Sequence, residues 1–546
     1  MPLFLLLLIS LSAFLLVRPD AAPPPPPPHP AQVEGAALFA TSEACLVCHN
    51  GITTSTGEDV SIGADWRATM MAHAAKDPYW QAAVRREITD HPAAAAAIED
   101  KCSTCHMPMS RYEAHLGGAS GTVFGNLPAG ASDERGPVLA EDGVSCSVCH
   151  QIADEGLGDA SSFTGEFRVD ETTPWGERNM LGPFTTDLGR AGIMHSATGF
   201  TPREAPHVQA SELCATCHTL YTETLDGEGR QIGELPEQVP YLEWQHSVFP
   251  EQDVQCQTCH MPVVREPVPV TRVLGEPRED VNRHIFLGGN FFVLGMLNRY
   301  RDELGVEALP LEMDRAQRRT VEHLRADAAR VGIEELALSG GELVAVVSVE
   351  NLSGHKLPTA YPSRRAWLHL TVTDGSGSIV FESGALRPDG SIEGNDMDAP
   401  AAGFEPHYDL IERAEEVQIY ESVMLDVDDR VTTGLLRGFR YGKDNRLLPL
   451  GFDRAAASED VAVHGVPSEE ENFAGGADRI RYEVGVEPGT GPFTVEVALW
   501  FQPIGFRWAH ELDAYETFET ERFVNYYDAM AGSSAVELVK ATRSTP

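Results

Sequence analysis

Cys45-Leu46-Val47-Cys48-His49 is the first of five like pentads whose reading decides how this chain folds. The others are Cys102-Ser103-Thr104-Cys105-His106, Cys146-Ser147-Val148-Cys149-His150, Cys214-Ala215-Thr216-Cys217-His218 and Cys256-Gln257-Thr258-Cys259-His260. The chain has 10 cysteines, and none falls outside these motifs. Cys-x-x-Cys-His is the attachment signature of c-type haem. The two thiols add across the two vinyl groups of one haem. The next residue turns back beneath the ring, where its imidazole binds the iron. A zinc ribbon needs paired Cys-x-x-Cys knuckles with no fixed following histidine. Structural disulfides need neither the repeated spacing nor the histidines. A thioredoxin-like motif occurs once, beside a βαβ pattern. The reading is therefore five covalently attached haem c groups, their irons held by His49, His106, His150, His218 and His260.

Covalent haem attachment takes place outside the cytoplasmic membrane, which calls for an exported chain in the periplasm or at the cell surface. Leu3–Val17 is a mostly apolar run. It is shorter than the roughly 20 residues of a membrane span and has the length of a signal-peptide core. Its leading end lacks Lys and Arg, and Asp20-Ala21-Ala22 is a mediocre cleavage site. Residues 1–22 therefore read as a signal peptide or as an uncleaved N-terminal anchor. Residues 23–34, with the run Pro23–Pro28, form a stiff proline-rich spacer.

At 546 residues the chain is too long for one core. With 42% hydrophobic and 23% charged residues it is globular rather than disordered. The net charge of −41 is spread along the whole length. No basic patch is available to displace phosphate counterions, which argues against a nucleic-acid partner. The acidic surface is either simple solvation or a docking face for a basic redox partner.

The chain divides into unlike parts. Residues 35–300 hold all five pentads and form the pentahaem domain. Within it Ala64–Glu87 and Ala93–Asp100 read as helices. Residues 301–330 form a connecting helix, with Leu311, Val321 and Leu324 on one side. The period then changes to two. Glu342–Val349, Ala366–Thr373, Ile379–Glu382, Glu416–Tyr420 and Thr494–Trp500 read as strands, giving a β-sandwich-like domain over 331–510. Residues 511–546 read as a C-terminal helical segment. The fold class is α+β and multidomain. An internal repeat runs through the haem part. Ser42-Glu43 and Ser211-Glu212 precede motifs 1 and 4. Met107-Pro108 and Met261-Pro262 follow motifs 2 and 5. Trp66 and Trp244 lie between. This pairs motif 1 with 2 and motif 4 with 5.

Of 19 histidines, five belong to the pentads. A second imidazole on an iron gives low-spin haem suited to electron transfer; methionine raises the potential. A distal ligand must project from backbone that the haem orders, which favours histidines flanked by Pro or Gly or held in loops. His91, His207, His284 and His355 fit, and His195 completes the metal-ligand set. His246 and His115 rank behind. His73 suits surface or core, and His369 alternates within a strand. Met107, Met109 and Met261 follow their proximal histidines too closely to reach the opposite face. The pair Arg364-Arg365 suits haem propionates or an anion. His355, in a Gly-His-Lys-Leu-Pro loop between two strands, suggests that the β part packs on the haem part and closes one iron.

The pentads, the Thr-Cys-His-Met-Pro segments, the stretch from Cys48 through Asp65-Trp66 to Trp80, and Ser211–Leu220 resemble multihaem c-type cytochromes. The resemblance is to relatives of the tetrahaem cytochrome c of nitrifying bacteria, over about residues 40–290. It implies electron transfer between periplasmic redox partners through closely stacked haems. This chain departs from the family by its fifth pentad and its β-rich C-terminal part. Asn351–Leu370 resembles a Gly-His-x-x-Pro-Thr segment of other multihaem cytochromes. Two function classes follow. One is an electron carrier among redox partner proteins, soluble or membrane-bound. The other is an oxidoreductase acting on a small nitrogen, sulfur or peroxide species at an open iron. The sequence shows no acid–base or anion-binding cluster outside the haem motifs, so the carrier is the stronger reading and no catalytic residue is named.

Overall fold

The computed structural model describes residues 37–399 and 403–546. The export segment at 1–22 and the proline spacer at 23–34 lie outside the described residues.

The haem part is built from short helices joined by turns. Ala64–Glu87 is not one helix. A helix over Ile62–Trp66 gives way to turns, and a second runs over Pro78–Asp90. Asp77 enforces the restart. Its carboxylate accepts hydrogen bonds from the N–H groups of Tyr79 at 2.8 Å and Trp80 at 3.2 Å, with Pro78 in the first turn. Each pentad sits in or beside a helical turn. Motif 2 forms the end of the helix Ala95–His106, and motifs 3 and 5 form the helices Cys146–Cys149 and Cys256–His260.

The connecting helix spans Pro310–His323. A single π-turn, Leu324–Ala328, leads it directly into a strand at Ala329. Seven long strands then build two sheets: β1 (Ala329–Ser339), β2 (Glu342–Asn351), β3 (Arg365–Thr373), β4 (Ile419–Leu425), β5 (Ala477–Gly485), β6 (Thr494–Gln502) and β7 (Val536–Ser544). One sheet has the order β4-β3-β6-β7, with short strands on its flanks. The other has the order β5-β2-β1, with Leu410–Ile411 added in parallel to β5. All long-strand pairings are antiparallel. Inward positions alternate as a two-sheet core requires: Leu343, Ala345, Val347 and Val349 on β2 face Leu368, Leu370, Val495, Val497 and Leu499.

The C-terminal segment corrects the helical expectation. A helix covers Phe518–Asp528, but Val536–Ser544 is a strand that pairs with β6 along its length. Its buried residues, Val536 and Leu538, recur at every second position, the period of a half-buried strand.

The core does not stop at the boundary between the two parts. Tyr79, Ala82, Phe291–Leu294 and Met313 belong to the same buried cluster as the sandwich strands. Among the described residues, no helix is long and apolar enough to cross a membrane.

Candidate metal centres

Four of the five motif histidines are prepared in a common way. The Nδ1 atoms of His49, His106 and His150 lie 2.6, 2.8 and 2.5 Å from the carbonyl oxygens of Val270, Ala74 and Leu181. His260 Nδ1 bonds the Leu287 carbonyl in the same manner. A carbonyl only accepts, so each Nδ1 carries the proton and each Nε2 keeps a free lone pair. This is the arrangement by which a backbone carbonyl fixes a metal-binding imidazole. Burial lowers the pKa of His106 and His260 to about 4, so both rings are neutral at physiological pH. His218 opens into the cavity described below, and burial together with the Arg364 guanidinium lowers its pKa too.

All ten cysteines and all five motif histidines line one branching cavity of about 980 Å³. No disulfide joins any of these cysteines. Protein interiors are close-packed and hold few voids larger than a water molecule, so a space of this size lined by attachment residues fits bulky prosthetic groups. Thiols of different motifs come close together: Cys45 to Cys146, Cys214 to Cys256, and Cys105 to Cys217. Cys149 lies within electrostatic range of Cys214 and Cys217. Motifs 1, 3, 4 and 5 thus form a line, and motif 2 branches from motif 4.

These contacts re-pair the internal repeat. Ser42 donates its N–H and hydroxyl to the Asp142 carboxylate, at 2.7 and 2.6 Å, on the approach to motif 3. Ser211 donates the same two groups to Gln255 Oε1, at 3.0 and 2.8 Å, on the approach to motif 5. The indoles of Trp66 and Trp244 each donate at 3.0 Å to a carbonyl two residues ahead of a motif, Val144 before Cys146 and Val254 before Cys256. The structural units are motif 1 with 3 and motif 4 with 5. Motif 2 stands apart despite the Met-Pro it shares with motif 5.

The distal candidates fall into three groups. His284 and His355 line the cavity. The His284 ring stands 6.3 Å from that of His150 at an interplanar angle of 21°, and the His355 ring stands 6.1 Å from that of His260 at 19°. Imidazole nitrogens about 2 Å from a metal on opposite faces place the ring centroids about 6 Å apart, so both pairs fit one iron each. In both rings Nδ1 is near a carbonyl, Asn282 at 3.2 Å and Lys356 at 2.9 Å. His91 is 5% exposed and lies outside the cavity wall, but neither ring nitrogen has a partner, a costly state that a metal would relieve. His195 and His207 are not brought to the wall. His195 is exposed and lies 3.3 Å from the Thr201 hydroxyl, and His207 Nε2 is taken by the Ile152 carbonyl at 2.8 Å. His115 bonds Asp100 at the surface, and His246 Nδ1 bonds the Leu242 carbonyl.

Two histidines outside the ligand set, His323 and the His73 read as surface or core, also bear on the site. His323 stands 6.3 Å from His260 at 66°, with Nδ1 on Asp327. Its signal was helical spacing, since Ala316, Thr320, His323 and Leu324 line the cavity along one face. His73 is 3% exposed with both ring nitrogens unpartnered, like His91.

The Arg364-Arg365 pair divides. Arg365 is consumed by Asp398 at 2.7 and 2.9 Å and by Gln502 at 2.8 Å. Arg364 lines the cavity, donates to the Thr359 carbonyl at 3.0 Å and has no carboxylate partner among the described residues. A guanidinium so enclosed calls for an anion, and Arg364 would hold a haem propionate if a haem occupies this part of the cavity. Tyr79, Tyr361, Glu87 and Glu237 line the same cavity. Burial, with Glu87 nearby, pushes the Glu237 carboxyl up to about 7 against the opposing hydrogen bonds of Thr222 and Gln238. A raised carboxyl pKa means that the folded state holds the proton longer than the unfolded one. Stability is therefore expected to fall as pH rises from about 4.5 to about 7. Glu237→Gln should stabilise the protein above pH 7 by on the order of 3 kcal/mol and change nothing below pH 4. Denaturant unfolding of both proteins at pH 4 and pH 8 checks this.

His407, Glu470 and Asp478 also cluster, but they do not suit a metal. The Nδ1 atom of His407 faces the amide nitrogens of Gln418 and Asn445, each at 3.0 Å. Both amides are oriented by backbone N–H groups of Tyr408 and Glu421 on their oxygens. Nδ1 must therefore accept, Nε2 carries the proton, and it donates to Glu470 at 3.0 Å. No lone pair is left for an ion.

No family model and no curated protein matches the chain. Among solved structures it is similar to a penta-haem cytochrome c552 from Thermochromatium tepidum. The TM-score is 0.53 at 16% identity, over 94% of this chain and 100% of that one. At that identity the likeness is one of fold, and it spans the sandwich as well as the haem part.

Proposed function

We propose that the protein is an exported multihaem cytochrome c that carries electrons between redox partners through five covalently attached haems. The observation that carries this reading is the single cavity shared by all ten cysteines, in which thiols of different motifs come close together. Haem supplies one-electron chemistry when bound. The chain supplies ten thiols, five motif imidazoles on the cavity wall, four of them with Nδ1 held by a carbonyl, and facing imidazoles from His284 and His355. The similar solved structure, itself penta-haem, supports the count.

Two motifs reach the surface. Val47 in motif 1 is 65% exposed, and Cys259 in motif 5 is exposed, whereas Ser103, Thr104, Ser147, Val148, Ala215 and Thr216 in the other three are buried. Motifs 1 and 5 are also the ends of the line of neighbouring thiols, which makes them the entry and exit points for electrons. With a net charge of −41 the complementary partner is basic, and the approach is steered by charge. Periplasm or cell surface is the compartment, with residues 1–22 directing export or anchoring the chain.

Mass spectrometry of acid-washed protein from an exporting host tests the reading. Five haem increments are expected. Fewer increments would make a pentad structural, and unmodified thiols holding zinc would overturn the proposal. The oxidoreductase reading gains one observation, the phenols, carboxyls and lone guanidinium of Tyr79, Tyr361, Glu87, Glu237 and Arg364 on the cavity wall. A high-spin paramagnetic resonance signal that shifts with nitrite, hydroxylamine or peroxide would favour it.

A further inference from the structure

We propose that Met194 supplies the sixth ligand to the iron held by His49, so that the haem of motif 1 has His/Met rather than bis-histidine ligation. This rests on the haem reading above. Three segments border this end of the cavity. The first is the helix Glu43–Leu46 leading into motif 1. The second is the helix Leu188–Thr198, which packs on it. The third is the segment 270–275. Its Val270 carbonyl holds His49 Nδ1, and its Arg272 N–H donates to the Cys48 carbonyl at 3.0 Å. The Arg190 side chain ties the second segment to the third by donating to the Leu274 carbonyl at 2.6 Å.

The helix Leu188–Thr198 presents one face to the cavity. Arg190, Ile193, Met194 and Ala197 line it, the i, i+3, i+4, i+7 stripe of a helix face. Asp187 caps the start through the N–H groups of Gly189 and Arg190. Gly199, at φ +79°, ends it in the left-handed conformation that glycine adopts without strain. The register is therefore fixed from both ends. It turns His195 outward to solvent and Thr201, and Met194 inward.

No imidazole among the described residues faces His49 as His284 faces His150 or His355 faces His260. The other thioethers on the wall belong elsewhere. Met70 packs in the large core. Met71 lies on the backbone that bonds Val144 ahead of motif 3. Met180 adjoins the carbonyl that holds His150, and Met261 follows His260. Arg190, the remaining polar group on the stripe, is paired with Asp187 and Glu276. A neutral thioether is the one soft donor that this apolar face offers.

Methionine in place of a second histidine raises the haem potential. The haem of motif 1 would then be more oxidising than the bis-histidine haems of motifs 3 and 5 and would collect electrons entering at motif 5. The test uses the intact holoprotein. The oxidised wild type should show the weak sulfur-to-iron charge-transfer band at the far-red edge of its spectrum. Met194→Leu should abolish the band and turn one of the haems high-spin. Met194→His should abolish the band, keep every haem low-spin and shift one step of a potentiometric titration downward. Met71→Leu should leave band and titration unchanged. A band that persists in Met194→Leu, or is absent from the wild type, overturns the assignment. Haem increments counted on the same samples separate that failure from failure of the haem reading itself.

Discussion

His355→Ala is expected to remove one low-spin haem from the paramagnetic resonance spectrum of the oxidised protein and to replace it with a high-spin signal. The histidine belongs to the sandwich part, yet its ring lies 6.1 Å from that of His260. The loop is pinned on both sides. Asn351 Nδ2 and the Ser353 hydroxyl donate to the His355 carbonyl at 2.8 and 3.0 Å, and the Lys356 N–H donates to Glu243 Oε2 at 3.0 Å. Gly354 sits so close to the haem part that a Cβ there would meet Trp244 at 3.3 Å and Phe249 at 3.4 Å. The ring is therefore presented by a rigid support, and deleting it leaves no neighbour on that loop to replace it. His323 provides the control. It stands at a similar distance from His260, but its ring is tilted at 66° to that of His260 where the ring of His355 lies at 19°. If His355 is the ligand, His323→Ala leaves the spectrum as it is. The reverse result would move the assignment to the helix. Two unchanged spectra would return the sandwich to the role of a docking module.

The attachment sites were legible in the sequence because covalent chemistry fixes them. Two thiols and an imidazole at one spacing cannot drift, whatever surrounds them. Distal ligands are set by long-range packing, and local sequence speaks to it only indirectly. Flanking Pro and Gly located His284 and His355, loops that bend into the cavity. The same cue led to His207, whose Nε2 is satisfied locally by Ile152. At Leu188–Thr198 the helix register, set by Asp187 and Gly199, turns His195 out and Met194 in, a difference of one position that composition does not reveal. The repeat shows the same limit. Motifs 2 and 5 share the most residues, but the contacts of Ser42, Ser211, Trp66 and Trp244 pair motif 1 with 3 and motif 4 with 5. The strands β2, β3 and β6 announced themselves by alternation. The strand β7 followed a helix too closely, and its alternation is carried by only two buried residues, Val536 and Leu538.

Asp444→Asn is expected to cost the protein about 3–5 kcal/mol, the range for breaking a buried ion pair by removing one partner. Lys356, next to the ligand candidate His355, is 0% exposed, and its Nζ lies 2.6 Å from Asp444 Oδ2. Arg446 binds the same carboxylate through Nε and Nη2, each at 2.8 Å, and reaches Glu243 of the haem part at 2.9 Å. Burial alone would raise the Asp444 pKa. Arg446 and Lys356 outweigh it and hold the carboxyl well below the usual range. A depressed carboxylate contributes stability that is fully present above the unfolded value near 3.9 and is lost only as pH falls through the lower, folded value. The cost of Asp444→Asn should therefore be complete at pH 7 and shrink in strong acid. Asparagine keeps the volume and can still accept one hydrogen bond, so the loss is chiefly that of a charge facing two buried cations. Adding Lys356→Met removes one of those cations and should recover part of the stability, the behaviour of an uncompensated charge rather than of a packing defect. Denaturant unfolding of the three proteins measures both effects. The cluster joins the strand Arg440–Asp444, the loop of His355 and the helix of Trp244, so the single variant should also loosen the histidine. Well below its unfolding midpoint it should show a fraction of the high-spin signal expected of His355→Ala. A destabilisation under about 1 kcal/mol, the size of an exposed pair, would mean that water reaches Lys356, and that this cluster is not what holds the two parts of the chain together.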